Sequence, residues 1–135
     1  MKNVEHELQK ACVKWFRLCY PQYAWMLFAV PNGGYRTATQ AKSLKAEGVV
    51  AGVADLILLI PRGGYASLCI EMKTEKGRQE DVQKIWQEEA LKFGNKYIVV
   101  RSFDQFCAEV SSYLGESDGC SVADARESLK SVIGK

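Results

Sequence analysis

Apolar residues recur at helical spacing in the first stretch of the chain, at Val4, Leu8, Ala11, Trp15 and Leu18. This pattern predicts a helix over 3–20 that Pro21 closes. The run Trp25 to Val30 predicts a short strand, Pro-Asn-Gly-Gly at 31–34 a turn, and residues 37–47 a second helix ended by Gly48. A hairpin follows, with Asp55 to Ile60 as one strand, 61–65 as the turn and Ala66 to Lys73 as the return strand. After a polar loop at 74–79, Val82, Ile85, Trp86, Ala90 and Phe93 mark a third helix over 80–93, and Gly94 stops it. Lys96 to Arg101 reads as a strand, and Phe103, Phe106, Cys107, Val110, Tyr113 and Leu114 as the stripe of a fourth helix. The expected fold is α/β, a small mixed β-sheet flanked by α-helices, in one domain over 1–115. Residues 116–135 are small and polar and read as a C-terminal tail, with a short helix from about Val122 to Val132.

Composition adds bounds. The chain has 135 residues, 47% hydrophobic and 25% charged, an ordinary globular balance for one domain. A net charge of +2 neither demands nor excludes a nucleic-acid partner, which needs only a local basic patch. The five cysteines, at 12, 19, 69, 107 and 120, include no Cys-x-x-Cys pair, so a disulfide framework and a zinc site are not expected. Cys12, Cys19, Cys69 and Cys107 fit reduced core thiols. No apolar signal region opens the chain, and no apolar run approaches the ~18 residues of a membrane span. A cytoplasmic protein is expected.

The chemistry concentrates on the hairpin. Asp55 and Glu71 are each eight residues from Gly63, in the middle of the turn. A hairpin symmetric about Gly63 sets them directly opposite, with Cβ atoms ~5 Å apart. Alternation puts Lys73 on the same face and sends Leu56, Leu58, Ile60, Leu68, Ile70 and Met72 to the other. Facing carboxylates repel, so a sequence shaped by stability alone would avoid them. A divalent cation removes the objection, because carboxylates, a backbone carbonyl such as that of Met72, and water are the donors Mg²⁺ or Mn²⁺ takes. Such an ion polarises a phosphodiester and activates water, while Lys73 stabilises developing negative charge.

These residues resemble a known family. Asp55 followed by Glu71-Met72-Lys73 is similar to the PD-(D/E)xK nuclease core, and more narrowly to the stand-alone VRR-NUC (virus-type replication-repair nuclease) domain. The matching stretches are Pro-Asn-Gly-Gly at 31–34, Leu-Lys-Ala-Glu-Gly-Val at 44–49, Ala-Gly-Val-Ala-Asp-Leu at 51–56 and Ile-Glu-Met-Lys at 70–73. Lys-Gly-Arg at 76–78 and Gln83-Lys84-Ile85-Trp86 complete the ordered set, which spans roughly 3–114. Ala54 stands where the family often has Pro, and the tail has no counterpart.

The resemblance implies a restriction-endonuclease-like core and a Mg²⁺- or Mn²⁺-dependent endodeoxyribonuclease. It implies that Asp55, Glu71 and the Met72 carbonyl hold the metal, helped by an acid of the first helix. Glu5 and Glu7 are the candidates, with Glu5 preferred because Glu-x-x-Leu-Gln matches the family start. Gln83 would position Lys73 or the attacking water. Stand-alone members resemble homodimeric resolvases of four-way (Holliday) DNA junctions, often from phage, acting in the bacterial or phage-infected cell. A less selective flap or duplex nuclease and a non-catalytic DNA-binding module are the alternatives. Asn32, Gly33, Gly34, Arg36, Lys42, Lys45, Lys76 and Arg78, near the two ends of the hairpin, are the expected phosphate contacts. His6 reads as a surface residue, Arg62 lies too far along the hairpin, and Trp15, Trp25 and Trp86 read as core.

Overall fold

The computed structural model describes residues 4–31 and 37–115. Helix α1 spans Val4–Cys19, and a 3₁₀ helix over Pro21–Met26 leads into β1, Leu27–Ala29. Then come α2 (Ala38–Ala46), β2 (Leu56–Leu58), β3 (Leu68–Met72), α3 (Asp81–Lys92), β4 (Lys96–Val100) and α4 (Phe103–Leu114). The four strands form one mixed sheet in the order β1-β2-β3-β4. The first two pairs are antiparallel. The pair β3–β4 is parallel, so the chain must cross over between them, and α3 makes that crossover. The fold is the expected α/β arrangement of a small mixed sheet flanked by helices.

The two sheet faces differ in content because side chains alternate along each strand. One face carries Leu27, Leu56, Leu58, Leu68, Ile70, Met72 and Val100. It packs on Cys12, Trp15 and Phe16 of α1 and on Phe106, Cys107, Val110 and Leu114 of α4. Trp15 anchors this layer, meeting Tyr20, Phe103 and Phe106 edge-on at 5.7, 6.4 and 5.8 Å between ring centres. Each large side chain so buried stabilises the fold by about 1.5–3 kcal/mol. The opposite face has a smaller apolar cluster of Ala54, Cys69 and Tyr97, with Ile57, Trp86 and Val99 against it.

The hairpin register matches the count about Gly63. Leu56 pairs with Ile70, Ile57 with Cys69 and Leu58 with Leu68, and one further step sets Asp55 opposite Glu71. The turn itself is centred half a residue later, between Gly63 and Gly64, where Arg62 and Tyr65 exchange backbone hydrogen bonds. Both glycines take positive φ, 58° and 87°, the combination a tight two-residue hairpin turn requires. Residues 59–61 on the outgoing arm face only 66–67 on the return arm, and this one-residue bulge restores the register.

Three expectations are corrected. The strand expected from Trp25 begins at Leu27, because Pro21 opens a 3₁₀ helix that takes in Trp25 and Met26. Trp25, read as core, is 90% exposed, whereas Trp15 is fully buried and Trp86 partly. Cys19, read as a reduced thiol, is disulfide-bonded. Cys12, Cys69 and Cys107 are buried thiols, as expected. The expected turn at 32–34, Arg36 and the tail 116–135 lie outside the described residues.

Candidate active site

Immediately before β2, Asp55 stays attached to the sheet in two ways. Its carbonyl accepts the Val30 N–H at 2.8 Å, and its side-chain Oδ2 accepts the Met72 N–H at 2.7 Å. The carboxylate thus takes the place of a strand partner beside Met72, which fixes it against the Glu-x-Lys segment. The preceding loop is held on α3. Gly52 has φ of 87°, and a Cβ there would sit 2.4 Å from the Val82 carbonyl oxygen, so only glycine permits this approach. That contact ties the Asp55 segment to the first turn of α3, one residue before Gln83.

Glu71 is only 1% exposed, yet it carries a carboxyl group. Gln83 Nε2 donates to its Oε2 at 2.8 Å, and the Tyr97 hydroxyl donates to its Oε1 at 3.3 Å. The Gln83 amide is oriented by its other end, where Oε1 accepts the Glu80 N–H at 2.8 Å in the capping box of α3. Lys73 Nζ stands 3.8 Å from Glu71 Oε2, with the lysine 8% exposed. Burial, and then the neighbouring Asp55 carboxylate, push the Glu71 carboxyl up to about 8, with Lys73 opposing them. Burial followed by Glu71 also pushes the Tyr97 hydroxyl up, which keeps it a neutral donor.

Two carboxyl groups, Glu71 buried and Asp55 partly so, therefore stand near one ammonium. Their hard oxygen donors suit Mg²⁺ or Mn²⁺, and the small number of protein ligands suits an ion that keeps several waters. No group of three or more His, Cys, Asp or Glu converges among the described residues. Asp55, Glu71 and the Met72 carbonyl, with water, make up the donor set that fits.

The site opens into a cleft of about 1120 Å³. Asp55, Glu71, Lys73 and Gln83 line it, as do Glu5 and Gln9 of α1 and Lys45 of α2. Of the two helix acids, Glu5 faces this cleft, while Glu7 is exposed and pairs with Lys10 at 3.2 Å. Among the expected phosphate contacts, Lys45 lines the cleft, but Lys42, Lys76 and Arg78 are exposed and do not. Asn32, Gly33, Gly34 and Arg36 lie outside the described residues. His6, Lys10 and Arg17 join the lining from α1. Sequence reasoning did not single out Lys10 or Arg17, although both follow the helical spacing that puts Glu5, Gln9 and Val13 on one side.

Gln83 is brought to Glu71 by the hydrogen bond to Oε2. Tyr97 and Gln79, whose Nε2 donates to the Tyr97 hydroxyl at 3.2 Å, had no sequence signal. An aromatic in a strand reads as core, and only the parallel register with β3 brings it beside Glu71.

A mixed sheet that carries Asp and Glu-x-Lys at adjoining strand ends, beside an open cleft, agrees with the nuclease core that these residues resemble. The VRR-NUC domain model matches residues 3–104 of this chain. The chain belongs to the VRR-NUC family, a family of nuclease domains. It is also similar to a solved structure described as a VRR_NUC domain protein, at TM-score 0.73 and 25% identity. That likeness covers 84% of this chain and 90% of the other. No curated protein sequence matches.

Proposed function

We propose that this protein is a Mg²⁺- or Mn²⁺-dependent DNA endonuclease whose catalytic residues are Asp55, Glu71 and Lys73. The observation that carries the reading is the placing of the Asp55 carboxylate beside the buried Glu71, two like charges whose repulsion a divalent cation would remove. Asp55, Glu71 and the Met72 carbonyl would hold the ion, with Glu5 facing the same cleft. Bound there, the ion would supply Lewis-acid polarisation of the scissile phosphodiester and a lowered pKa for attacking water.

The chain's own residues do the rest. Gln83 and Tyr97 hold the two Glu71 oxygens in a fixed orientation, so the carboxylate needs no reorganisation during the reaction. The Lys73 ammonium, beside Glu71, offsets negative charge as it builds on phosphorus. Lys45 of α2 and the α1 side chains Lys10 and Arg17 give the cleft cationic walls for phosphates, which position a strand without reading its bases. The substrate we propose is branched DNA, cut as a four-way junction by a symmetric homodimer, following the family resemblance.

Cleavage of a labelled synthetic junction and a linear duplex of the same sequence, with Mg²⁺, Mn²⁺ or EDTA, tests the reading. Paired symmetric cuts near the crossover, dependent on metal, are expected. Metal-dependent random nicking would leave a nuclease without junction selectivity. No cleavage of any DNA form would end the enzyme reading.

A further inference from the structure

We propose that Arg101 is a positioning residue for Lys73, acting through the loop that follows the Glu-x-Lys strand. The parallel ladder between β3 and β4 ends at Met72 and Val100, and Lys73 N–H still reaches the Val100 carbonyl at 2.9 Å. The next residue on the β4 side is Arg101, where the backbone pairing has run out. Its guanidinium continues the connection in place of the backbone. A single nitrogen, Nη1, donates to the carbonyls of Thr74 at 2.9 Å, Glu75 at 3.4 Å and Gly77 at 2.6 Å. Three carbonyls of one short loop thus turn inward around one cationic group.

The loop so gathered lies on Lys73 itself. A Cβ added at Gly77 would be 3.6 Å from Lys73 Cδ and 2.9 Å from Thr74 Oγ1. Gly77 therefore closes over the aliphatic stem of Lys73, whose ammonium stands by Glu71. Arg101 has its own support at the start of α4, since its N–H donates to Gln105 Oε1 at 2.7 Å and Gln105 Nε2 donates to the Val99 carbonyl at 3.0 Å. The connected path runs from α4 through Arg101 and the loop carbonyls to the Lys73 stem. A clamp on neutral carbonyls needs a cation with several donors, which explains an arginine at an exposed position with no acidic partner in the contacts it makes here.

The proposal rests on Lys73 being catalytic. The test compares full-length wild type, Lys73→Met, Arg101→Ala, Arg101→Lys and Gly77→Ala on a labelled four-way junction and a linear duplex with Mn²⁺. Mn²⁺ affinity is measured separately by calorimetry. Arg101→Ala is expected to lower kcat by about tenfold to a hundredfold with KM within about twofold, because a small misplacement of a reacting group has that effect. Arg101→Lys is expected to recover most of the rate, and Gly77→Ala to lower kcat in the same way by displacing the loop. Mn²⁺ affinity should stay at the wild-type value in all three.

A rise in KM with unchanged kcat would overturn the proposal, since the loop would then serve substrate binding. Equal loss in Arg101→Lys and Arg101→Ala, or weakened Mn²⁺ binding, would overturn it as well. If Lys73→Met keeps the wild-type rate, the assignment of Lys73 fails and the proposal fails with it. If Lys73→Met is inactive while Arg101→Ala is not impaired, the proposal alone fails. A wild type that cleaves neither DNA overturns both.

Discussion

Along β3, residues 68, 70 and 72 and residues 69, 71 and 73 face opposite sides of one sheet and answer to different demands. Leu68, Ile70 and Met72 are buried among apolar side chains of α1, α4 and the neighbouring strands. Glu71 and Lys73 are buried almost as deeply, but against each other, Asp55, Gln83 and Tyr97. The first set lowers the free energy of the fold, whereas the second carries the cost of burying charged groups, which the proposed cation would offset. Burial alone does not separate them. The sign of each residue's contribution to stability does, and the difference marks the strand as both scaffold and site.

The comparison breaks most sharply at Glu71 and Asp55. Glu71→Gln or Asp55→Ala should reduce metal-dependent DNA cleavage on the order of a thousandfold or more, read from single-turnover rates, with the fold intact by circular dichroism. One residue earlier the effect should change kind. Ile70→Ala, which opens a cavity on the dry face, should cost about 2–5 kcal/mol in urea unfolding. The protein that remains folded should keep a near-normal cleavage rate. A thousandfold loss from Ile70→Ala at unchanged stability would erase the distinction between the faces.

A smaller effect follows from pH. The Glu71 carboxyl is pushed from its ordinary 4.5 to about 8 in the folded chain by burial and by Asp55. Between those values the folded state binds more protons than the unfolded state, so metal-free stability should fall as pH rises from about 4.5 to about 8. Urea midpoints in EDTA across that range would show the slope. Glu71→Gln should flatten it. A wild-type slope of the opposite sign would mean that Glu71 is stabilised as a carboxylate even without metal.

The parts of this account visible in the sequence are those carried by local pattern. The alternation about Gly63 places Asp55 opposite Glu71, and helical stripes mark three of the four α-helices, because short-range geometry fixes both. What stayed hidden depends on contacts between distant segments. Tyr97 reaches Glu71 only through the parallel pairing of β4 with β3, and Arg101 reaches the 74–77 loop only where that pairing ends. Trp25 misled because its neighbours Met26 to Val30 look like strand, yet Pro21 sets a 3₁₀ helix that carries the indole to the surface. Cys19 misled because the spacing of cysteines along the chain does not show which thiols are oxidised. Lys42, Lys76 and Arg78 are basic in the expected places, but position along the chain does not say which of them lines a cleft.

The most direct test of the central claim is the thermal midpoint of wild type and Glu71→Gln at pH 8, each in EDTA and in Mn²⁺. Without metal, the variant should melt at the higher temperature, because it lacks a buried carboxylate facing Asp55. With Mn²⁺, wild type should gain stability and overtake the variant, which should shift little. A wild type that melts higher than Glu71→Gln in EDTA and gains nothing from Mn²⁺ would contradict the account, since the paired carboxylates would then be a structural feature without a metal to hold.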